Sequence, residues 1–407
     1  FLGVGLGSLS VGYVTEKFRR VKMVNTCQLI IFICHLLLGI NDNLIVFAIL
    51  RIIIGTCIGI IVPVAINLLT EYLPIKNRAA ALTSVWFGYS FGQTFLLVFI
   101  LVIMPNYQVA QFKNTILVSS SITFISLILC FIFLKDSPRN LILNHEVNEA
   151  IEILEKLHGS HIKDIDRDRI IEEDLRGINK IENISIKEIF TGHNMLLTTT
   201  LLVIIWLLNS ILFYGPNLIA SLTMKAIGIT EEAGANKAII VDQIWIAMIS
   251  SSSNAIGGLL SEISWLGRNK TTNLSLVVAI VFNVLILLYP KNYNILFGLF
   301  TTATSIAFNV NTTYSCEVYP TKIRDLAIGF LFFATRIGGF VSQIIYIALN
   351  NWDIWAPYHA NTIFLVLNII MVFLLPIETY YRPLDEELES TDKTYTDEES
   401  DLIKKVE

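Results

Sequence analysis

The stretch Glu71-Tyr72-Leu73-Pro74-Ile75-Lys76-Asn77-Arg78 returns 246 residues later as Glu317-Val318-Tyr319-Pro320-Thr321-Lys322-Ile323-Arg324, with the acid, the proline and the final base in register. A second pair of short strings, Arg20-x-Lys22 and Arg268-x-Lys270, repeats at an offset of 248. A self-match of this length marks an internal duplication, and every other feature of the chain is read against it.

Around these strings the chain is apolar. Hydrophobic residues make up 54% of its 407 residues and charged ones 15%, with a mean hydropathy of +0.64. Soluble domains carry about 25% charge, and a soluble chain of this size needs more polar surface than that to cover its core. A net charge of −5 offers no basic excess to hold phosphates, so a nucleic-acid partner is excluded along with a disordered chain and an ordinary cytosolic enzyme. Cys27, Cys34, Cys57, Cys130 and Cys316 lie in or at the ends of apolar stretches. None forms a Cys-x-x-Cys pair, which speaks against a disulfide frame or a zinc site. No cofactor motif is present.

A hydrocarbon core roughly 30 Å thick takes about 20 residues of helix. By that ruler spans fall near 24–40, 43–70, 80–104, 115–134, 196–223, 238–262, 273–289, 295–316, 325–349 and 360–376. Residues 1–14 are apolar but too short to cross, and read as half a span. The loops on the exit side of 1–14 hold Lys17, Arg19, Arg20, Lys22, Lys76, Arg78, Arg268, Lys270, Lys322 and Arg324; the opposite loops hold only Lys113, Lys225, Lys237 and Lys291. Ten against four places the first set, the 135–195 loop and the tail in the cytoplasm. Two copies of one pattern in the same orientation predict a transporter of two six-helix bundles related by an axis along the membrane normal. Shifted back by about 247 residues, the 196–223 span falls before residue 1, so the expectation is an all-α protein of twelve spans whose first helix is missing from this chain. The divisions expected are a first bundle at 1–134, a cytoplasmic helical loop at 135–195, a second bundle at 196–376 and an acidic, disordered cytoplasmic tail at 377–407.

The first loop reads Gly12-Tyr-Val-Thr-Glu16-Lys17-Phe-Arg19-Arg20-Val-Lys22. With Glu71 and Arg78 it resembles the major facilitator superfamily, whose loop pattern is G-x-x-x-D-[RK]-x-G-R-[RK]. It departs at Glu16, at Arg19 (a glycine in the pattern) and at Val21. The resemblance implies an ion-pair network that latches one face of the protein, formed here by Glu16, Lys17, Arg20, Glu71, Arg78, Arg268, Glu317 and Arg324. The bland alternative is that these bases only obey the positive-inside rule. In the second copy Ser264 and Trp265 stand where an acid and a base are expected, leaving Glu262, two residues away, as the substitute and the second latch weak.

Arg51-x-x-x-Gly55-x-x-x-Gly59 is similar to the sugar and organic-ion branch of that superfamily. Arg51 either faces a cavity or snorkels to the headgroups, and the two glycines read as a packing seam. Asp136-Ser-Pro138-Arg139 ends the first bundle where that branch has P-E-S-P-R, while Ile189-Phe-Thr191, Glu317-Val-Tyr-Pro-Thr321 and Leu375-Pro-Ile-Glu378-Thr379 resemble the group of synaptic vesicle glycoproteins and their short relatives, beside the organic cation and anion transporters. Hexose carriers place a Gln-Gln pair and a Trp where this chain has Val203, Ile204 and Thr312, so hexose transport is disfavoured: sugar hydroxyls would lack partners.

The substrate site is expected at mid-membrane between the bundles. Candidates are Tyr89, Gln93, Asn209, Tyr214, Asn217, Asn309, Thr312 and Arg336, with Trp206 and Phe213 adding aromatic surface and Pro216 a kink. The competing role for such groups is to satisfy one another between packed helices. Arg336, about twelve residues into its span, is the sharpest candidate, since a cation at that depth costs roughly 2.5–3.5 kcal/mol or more without a cavity or partner. It would hold a substrate carboxylate, or else pair with an acid on the missing helix. The expected partners are the lipid bilayer and a small organic ion. A proton is an open co-substrate, for which His35 is the visible titratable group. Trafficking adaptors are a further possibility for the tail. A non-transporting vesicle-membrane scaffold is the alternative function. The 140–195 loop carries apolar residues at helical spacing (Val147, Ile151, Leu154; Ile170, Ile171, Leu175, Ile178), and Ser185-x-x-Glu188 reads as a capping box.

Overall fold

The computed structural model describes residues 1–73, 78–103, 109–143, 146–158, 186–191, 193–228 and 235–380. Among them are thirteen α-helices and no strands. The first set comprises α1 (Leu2–Lys17), α2 (Arg20–Ile40), α3 (Leu44–Tyr72), α4 (Arg78–Ile103) and α5 (Val109–Phe133). Two short helices follow, α6 (Pro138–Leu143) and α7 (Val147–His158), then a 3-10 turn at Ile186–Phe190. The second set comprises α8 (His193–Ala226), α9 (Ala235–Ser261), α10 (Gly267–Leu288), α11 (Tyr293–Val318), α12 (Thr321–Trp352) and α13 (Ala356–Phe373). Ten of these helices are long and apolar enough to cross a membrane, and Leu2–Thr15 is a shorter apolar helix. They extend past the hydropathy windows at the charged ends, starting at Arg20, Arg78, Gly267 and Thr321. Backbone hydrogen bonding continues into the polar interface after apolarity has stopped. The kink expected at Pro216 does not end the helix: α8 runs as one element through it.

Shifted by 246 residues, Leu44–Tyr72 falls on Pro290–Val318, and the packing repeats with the sequence. Helix α1 lies on α3 as α9 lies on α11; α2 lies on α3 and α5 as α10 lies on α11 and α13. Across the seam between the two sets, α1 lies along α12 and α4 along α9. One buried apolar cluster is drawn from residues of α1–α3 and α5; a larger one is drawn almost wholly from the 3-10 turn, α8–α13 and the segment after α13.

Close approach explains Gly59. A Cβ there would sit 2.2 Å from the Val4 carbonyl of α1, so Gly55 and Gly59 form the packing seam expected of them. Repeat-related positions nevertheless differ in surroundings. A Cβ on Gly338 of α12 would meet the Leu207 carbonyl of α8 at 2.7 Å, whereas around Gly92, its counterpart on α4, no atom lies within 4 Å among the described residues.

The second set is held together by buried polar groups. Tyr293 donates to the Tyr358 hydroxyl at 2.7 Å, and Tyr358 donates to Thr223 Oγ1 at 3.1 Å. Asn283 Nδ2 donates to the Tyr358 carbonyl at 2.7 Å, and Asn361 Nδ2 to Asn283 Oδ1 at 3.3 Å; Tyr346 completes the chain by donating to Asn361 Oδ1. These residues join α8, α10, α11, α12 and α13. Removing one buried hydroxyl strands its partners at a cost of about 1–3 kcal/mol. Tyr358→Phe is therefore expected to lower the midpoint of thermal unfolding in detergent. Tyr293→Phe/Tyr358→Phe should lose less than the sum of the single losses, because both ends of the bond go together.

Candidate functional site: a charged latch and an aromatic cleft

Six of the eight residues expected in the ion-pair network come together at one end of the helices. In the first set Arg20 Nη1 lies 2.6 Å from Glu71 Oε2; in the second, Arg268 Nη2 lies 3.1 Å from Glu317 Oε1. Each glutamate also takes an arginine from the other set: Arg324 Nη1 is 3.5 Å from Glu71 Oε1, and Arg78 Nη1 is 3.8 Å from Glu317 Oε1. The repeated Glu-x-x-Pro-x-x-x-Arg string is thus split between two clusters, its acid serving one and its base the other. All six side chains are buried. Buried ions persist only when paired, so this end cannot part without exposing them to water. Lys17 is exposed and in no ion pair among the described residues; the Glu16 side chain lies outside them.

Two members, Asp325 and Asn67, carry no signal in the sequence. Asp325, next to Arg324, accepts from Arg20 Nε at 2.8 Å and from Asn67 Nδ2 at 2.6 Å, both across the seam. Its repeat position is Ala79, so the two clusters are unequal. On the other side Glu262 makes good the missing acid. Its carboxylate lies 3.7 Å from Arg268 and accepts from the Ala79 backbone N–H at the start of α4 at 2.8 Å, again across the seam. Carboxylates are favoured at a helix start by its unpaired N–H groups.

The strings that end each set play equivalent parts. Asp136 accepts the Val21 N–H at 3.1 Å while Ser137 donates to Glu71. Glu378 accepts the Arg268 and Asn269 N–H groups at 2.8 and 3.0 Å while Thr379 donates to Glu317 at 2.7 Å. Burial pushes the Asp136 carboxyl above the usual carboxylate range, against the pull of the Val21 N–H, Arg19 and Arg20. Gly267, at φ +61°, is the turn residue that brings these N–H groups onto Glu378.

Arg19, the departure from the family glycine, also has a task. Its guanidinium forks over Glu146 and Glu149 at the start of α7, with Nη2 2.7 Å from Glu149 Oε2. Glu149, then Glu146, raise its pKa against the opposing effect of burial. Helix α7 packs through Ala150 and Ile153 onto Leu141 and Tyr72. Ile170, Ile171, Leu175, Ile178 and Ser185 lie outside the described residues, as do Pro74, Lys76 and the tail from 381. Ile186–Phe190 forms the short helix expected there, as a 3-10 turn.

Away from the latch, Arg336 and Tyr214 come together. Arg336 Nη1 donates to the Tyr214 hydroxyl at 2.6 Å, and the Tyr214 ring lies 5.9 Å from the guanidinium carbon. Arg336 Nε is buried without a partner, and Arg336 forms no ion pair among the described residues. Helix α1 closes one side, with the Phe1 ring 5.1 Å from that of Tyr214. Aromatic rings continue from there. Phe213 stacks on Phe308 at 6.2 Å; Phe308 meets Trp206 at 5.3 Å and Trp86 of α4 at 5.7 Å. Tyr89 lies 6.1 Å from Trp86, and both Tyr89 and Gln93 are exposed. Rings from both sets thus line the seam beside a cation that forms no ion pair among the described residues, groups whose chemistry matches a flat, negatively charged ligand.

The remaining candidates make contacts within the protein. Asn209 Oδ1 accepts from Asn368 Nδ2 of α13 at 2.7 Å, while its Nδ2 is buried without a partner among the described residues. Asn217 donates to the Phe213 carbonyl at 2.6 Å and Thr312 to the Phe308 carbonyl at 2.9 Å, each along its own helix. Asn309 donates to Asn254 Oδ1 at 2.7 Å. Arg51 is exposed, over the Phe47 ring at 5.2 Å, and His35 Nδ1 is buried without a partner among the described residues. A cavity of about 350 Å³ between α3, the end of α5 and α7 is lined by Leu68, Leu69, Tyr72, Leu134 and Ile153 and includes none of the candidates.

The sequence pattern of the Major Facilitator Superfamily matches residues 1–342. The chain belongs to that superfamily. This is a family of multi-pass membrane transporters, not enzymes. Solute carrier family 22 member 6 of Danio rerio is 23% identical over 96% of this chain and 67% of its own length. Synaptic vesicle 2-related protein of Rattus norvegicus is 25% identical over 83% of this chain and 62% of its own. Organic anion transporter 3 of Oryctolagus cuniculus is 23% identical over 97% and 70%. The chain thus spans about two thirds of the length of these relatives. The proton:xylose symporter XylE, solved with 6-bromo-6-deoxy-D-glucose, superposes with a TM-score of 0.75 at 16% identity, over 94% of this chain and 86% of that one. That likeness establishes a major facilitator fold of two bundles.

Proposed function

We propose that this major facilitator chain moves small organic ions, anions or zwitterions, across a membrane by alternating access. One observation carries the reading: at the seam between the bundles Arg336 has a tyrosine hydroxyl for company and no carboxylate among the described residues. A cation left unneutralised inside a membrane protein points to a ligand or a cavity. The name of one relative, organic anion transporter 3, supports the same direction. The latch is the gate. Its end is the cytoplasmic one, in keeping with the excess of Lys and Arg there. Binding occurs in the aromatic cleft; the bundles, divided at 1–134 and 196–376, rock; the cross-seam ion pairs break and re-form. Tyr89, Gln93, Tyr214 and Arg336 line the path.

The test is uptake of labelled organic anions and cations into proteoliposomes, with and without a pH gradient. Saturable uptake of anions is the expected result, and a pH gradient that drives it would add a proton as co-substrate. Flux confined to cations would overturn the anion reading. No saturable flux for any ligand would replace the carrier by a vesicle-membrane scaffold.

A further inference from the structure

The polar contacts that cross the seam among the described residues lie at the latch, with one exception. Asn254 of α9 is 2% exposed. Its Nδ2 donates to Ser90 Oγ of α4 at 3.2 Å and to the Ser251 carbonyl at 3.1 Å, while its Oδ1 accepts from Asn309 of α11. Ser90 lies twelve residues into α4, about 18 Å from its charged end at the helical rise. Both ends of this relay carry walls of the aromatic cleft. Ser90 Oγ donates in turn to the Trp86 carbonyl at 3.2 Å, and Asn309 follows Phe308 in the chain. Trp86 and Phe308 are the rings that face each other across the seam, edge to face at 5.7 Å.

We propose that Asn254 is a positioning residue that sets the width of the cleft. By tying Ser90 to Asn309 it holds the Trp86 wall of one bundle at a fixed distance from the Phe308 wall of the other. The proposal rests on the reading that this cleft takes an aromatic or flat organic ion. An amide suits the role because it donates and accepts at once, so three helices are joined through one side chain with no charge to desolvate. Asn309, whose amide donor is engaged in this relay, acts through it.

Three variants test this in lipid nanodiscs and proteoliposomes. Ser90→Ala removes the bond across the seam together with the Ser90 bond to the Trp86 carbonyl of its own helix, and leaves the Asn254–Asn309 bond in place. Asn254→Ala removes the whole relay. Asn368→Ala, a buried amide in the second bundle outside the relay, is the control for lost packing. Spin labels on α4 and α11 report the separation of the walls without any ligand. Benzoate, 2-naphthoate and 9-anthroate report it through transport. Ser90→Ala is expected to lengthen or broaden the label distance. It should also raise KM for benzoate roughly threefold to tenfold, the scale of one interhelical hydrogen bond in a membrane, with KM for 9-anthroate unchanged or lower. Asn368→Ala should leave both readouts in place. Label distances identical to wild type in Ser90→Ala and Asn254→Ala, or KM values that scale alike for all three acids, would overturn the proposal. If none of the acids is carried, the label distances still decide the width, and the failure belongs to the substrate reading.

Discussion

Arg336→Ala proteoliposomes should take up an organic anion about 10- to 100-fold more slowly than wild type at low concentration. The figure follows from the chemistry of the contact. A charge-assisted hydrogen bond contributes roughly 1.5–3 kcal/mol, and each 1.4 kcal/mol is a factor of ten. With Nη1 engaged by Tyr214 and Nε buried, Nη2 is the donor left to meet a carboxylate. Arg336→Lys keeps the charge but loses the planar fork, so partial activity with a raised KM is expected. Tyr214→Phe frees Nη1 and removes an acceptor. It should change KM more than Vmax, since the cation stays. Thermal unfolding in detergent supplies the control: all three variants should melt near wild type, because no ion pair is lost. Full anion uptake by Arg336→Ala would remove Arg336 from the site.

Asp325→Asn is expected to shift the protein towards the form open at the latch by about tenfold or more. Asp325 is the acid that binds Arg20 across the seam at 2.8 Å. In the variant Arg20 keeps Glu71, so the first bundle stays intact while the inter-bundle attraction falls. Removing one partner of a buried pair costs about 3–5 kcal/mol when the other is left alone. With Glu71 retained the effect is smaller and falls on the conformational equilibrium rather than on folding. Modification of a cysteine introduced at Thr83, buried near the start of α4, would report the opening from the latch side. Glu71→Gln, by contrast, strips both Arg20 and Arg324 of a carboxylate and is expected to reduce folded yield. Unchanged labelling in Asp325→Asn would mean that the ion pairs are structural and do not gate.

The two experiments probe features that the sequence disclosed to different degrees. Glu71, Arg78, Glu317 and Arg324 were legible because a duplicated gene keeps its spacing, and 246 residues separate each from its copy. Which acid meets which base was not. A linear pattern suggests that Glu71 serves Arg78, whereas Glu71 serves Arg20 and Arg324, and Arg78 crosses to Glu317. The exchange follows from packing: α4 lies against α9, and α12 against α1, so each Arg at a helix start is delivered to the opposite cluster. Asp325 gave no signal, since its repeat position is an alanine. Glu378 and Asp136 stood in recognisable strings, but nothing in those strings said that both cap the next loop's N–H groups.

The aromatic cleft divides in the same way. Arg336 stood out by its depth in an apolar run, and Tyr214 by lying near it in kind though not in sequence. Asn209 carried a weaker signal, and only the packing of α13 on α8 sets its Oδ1 against Asn368. Asn254 carried none: an Asn seven residues from a helix end is unremarkable until Ser90 and Asn309 are brought to either side of it.

The sequence by itself determined the number of long spans, the duplication and the membership of the superfamily. Those properties are written in composition and period, which each segment expresses locally as it partitions into lipid. Tertiary structure alone decided the pairing of charges, the capping by the strings that end each bundle, and the partner of each buried amide. Arg268 meets Glu317 across 49 residues of chain and Arg20 meets Asp325 across 305. Only the packing of one helix on another fixes them.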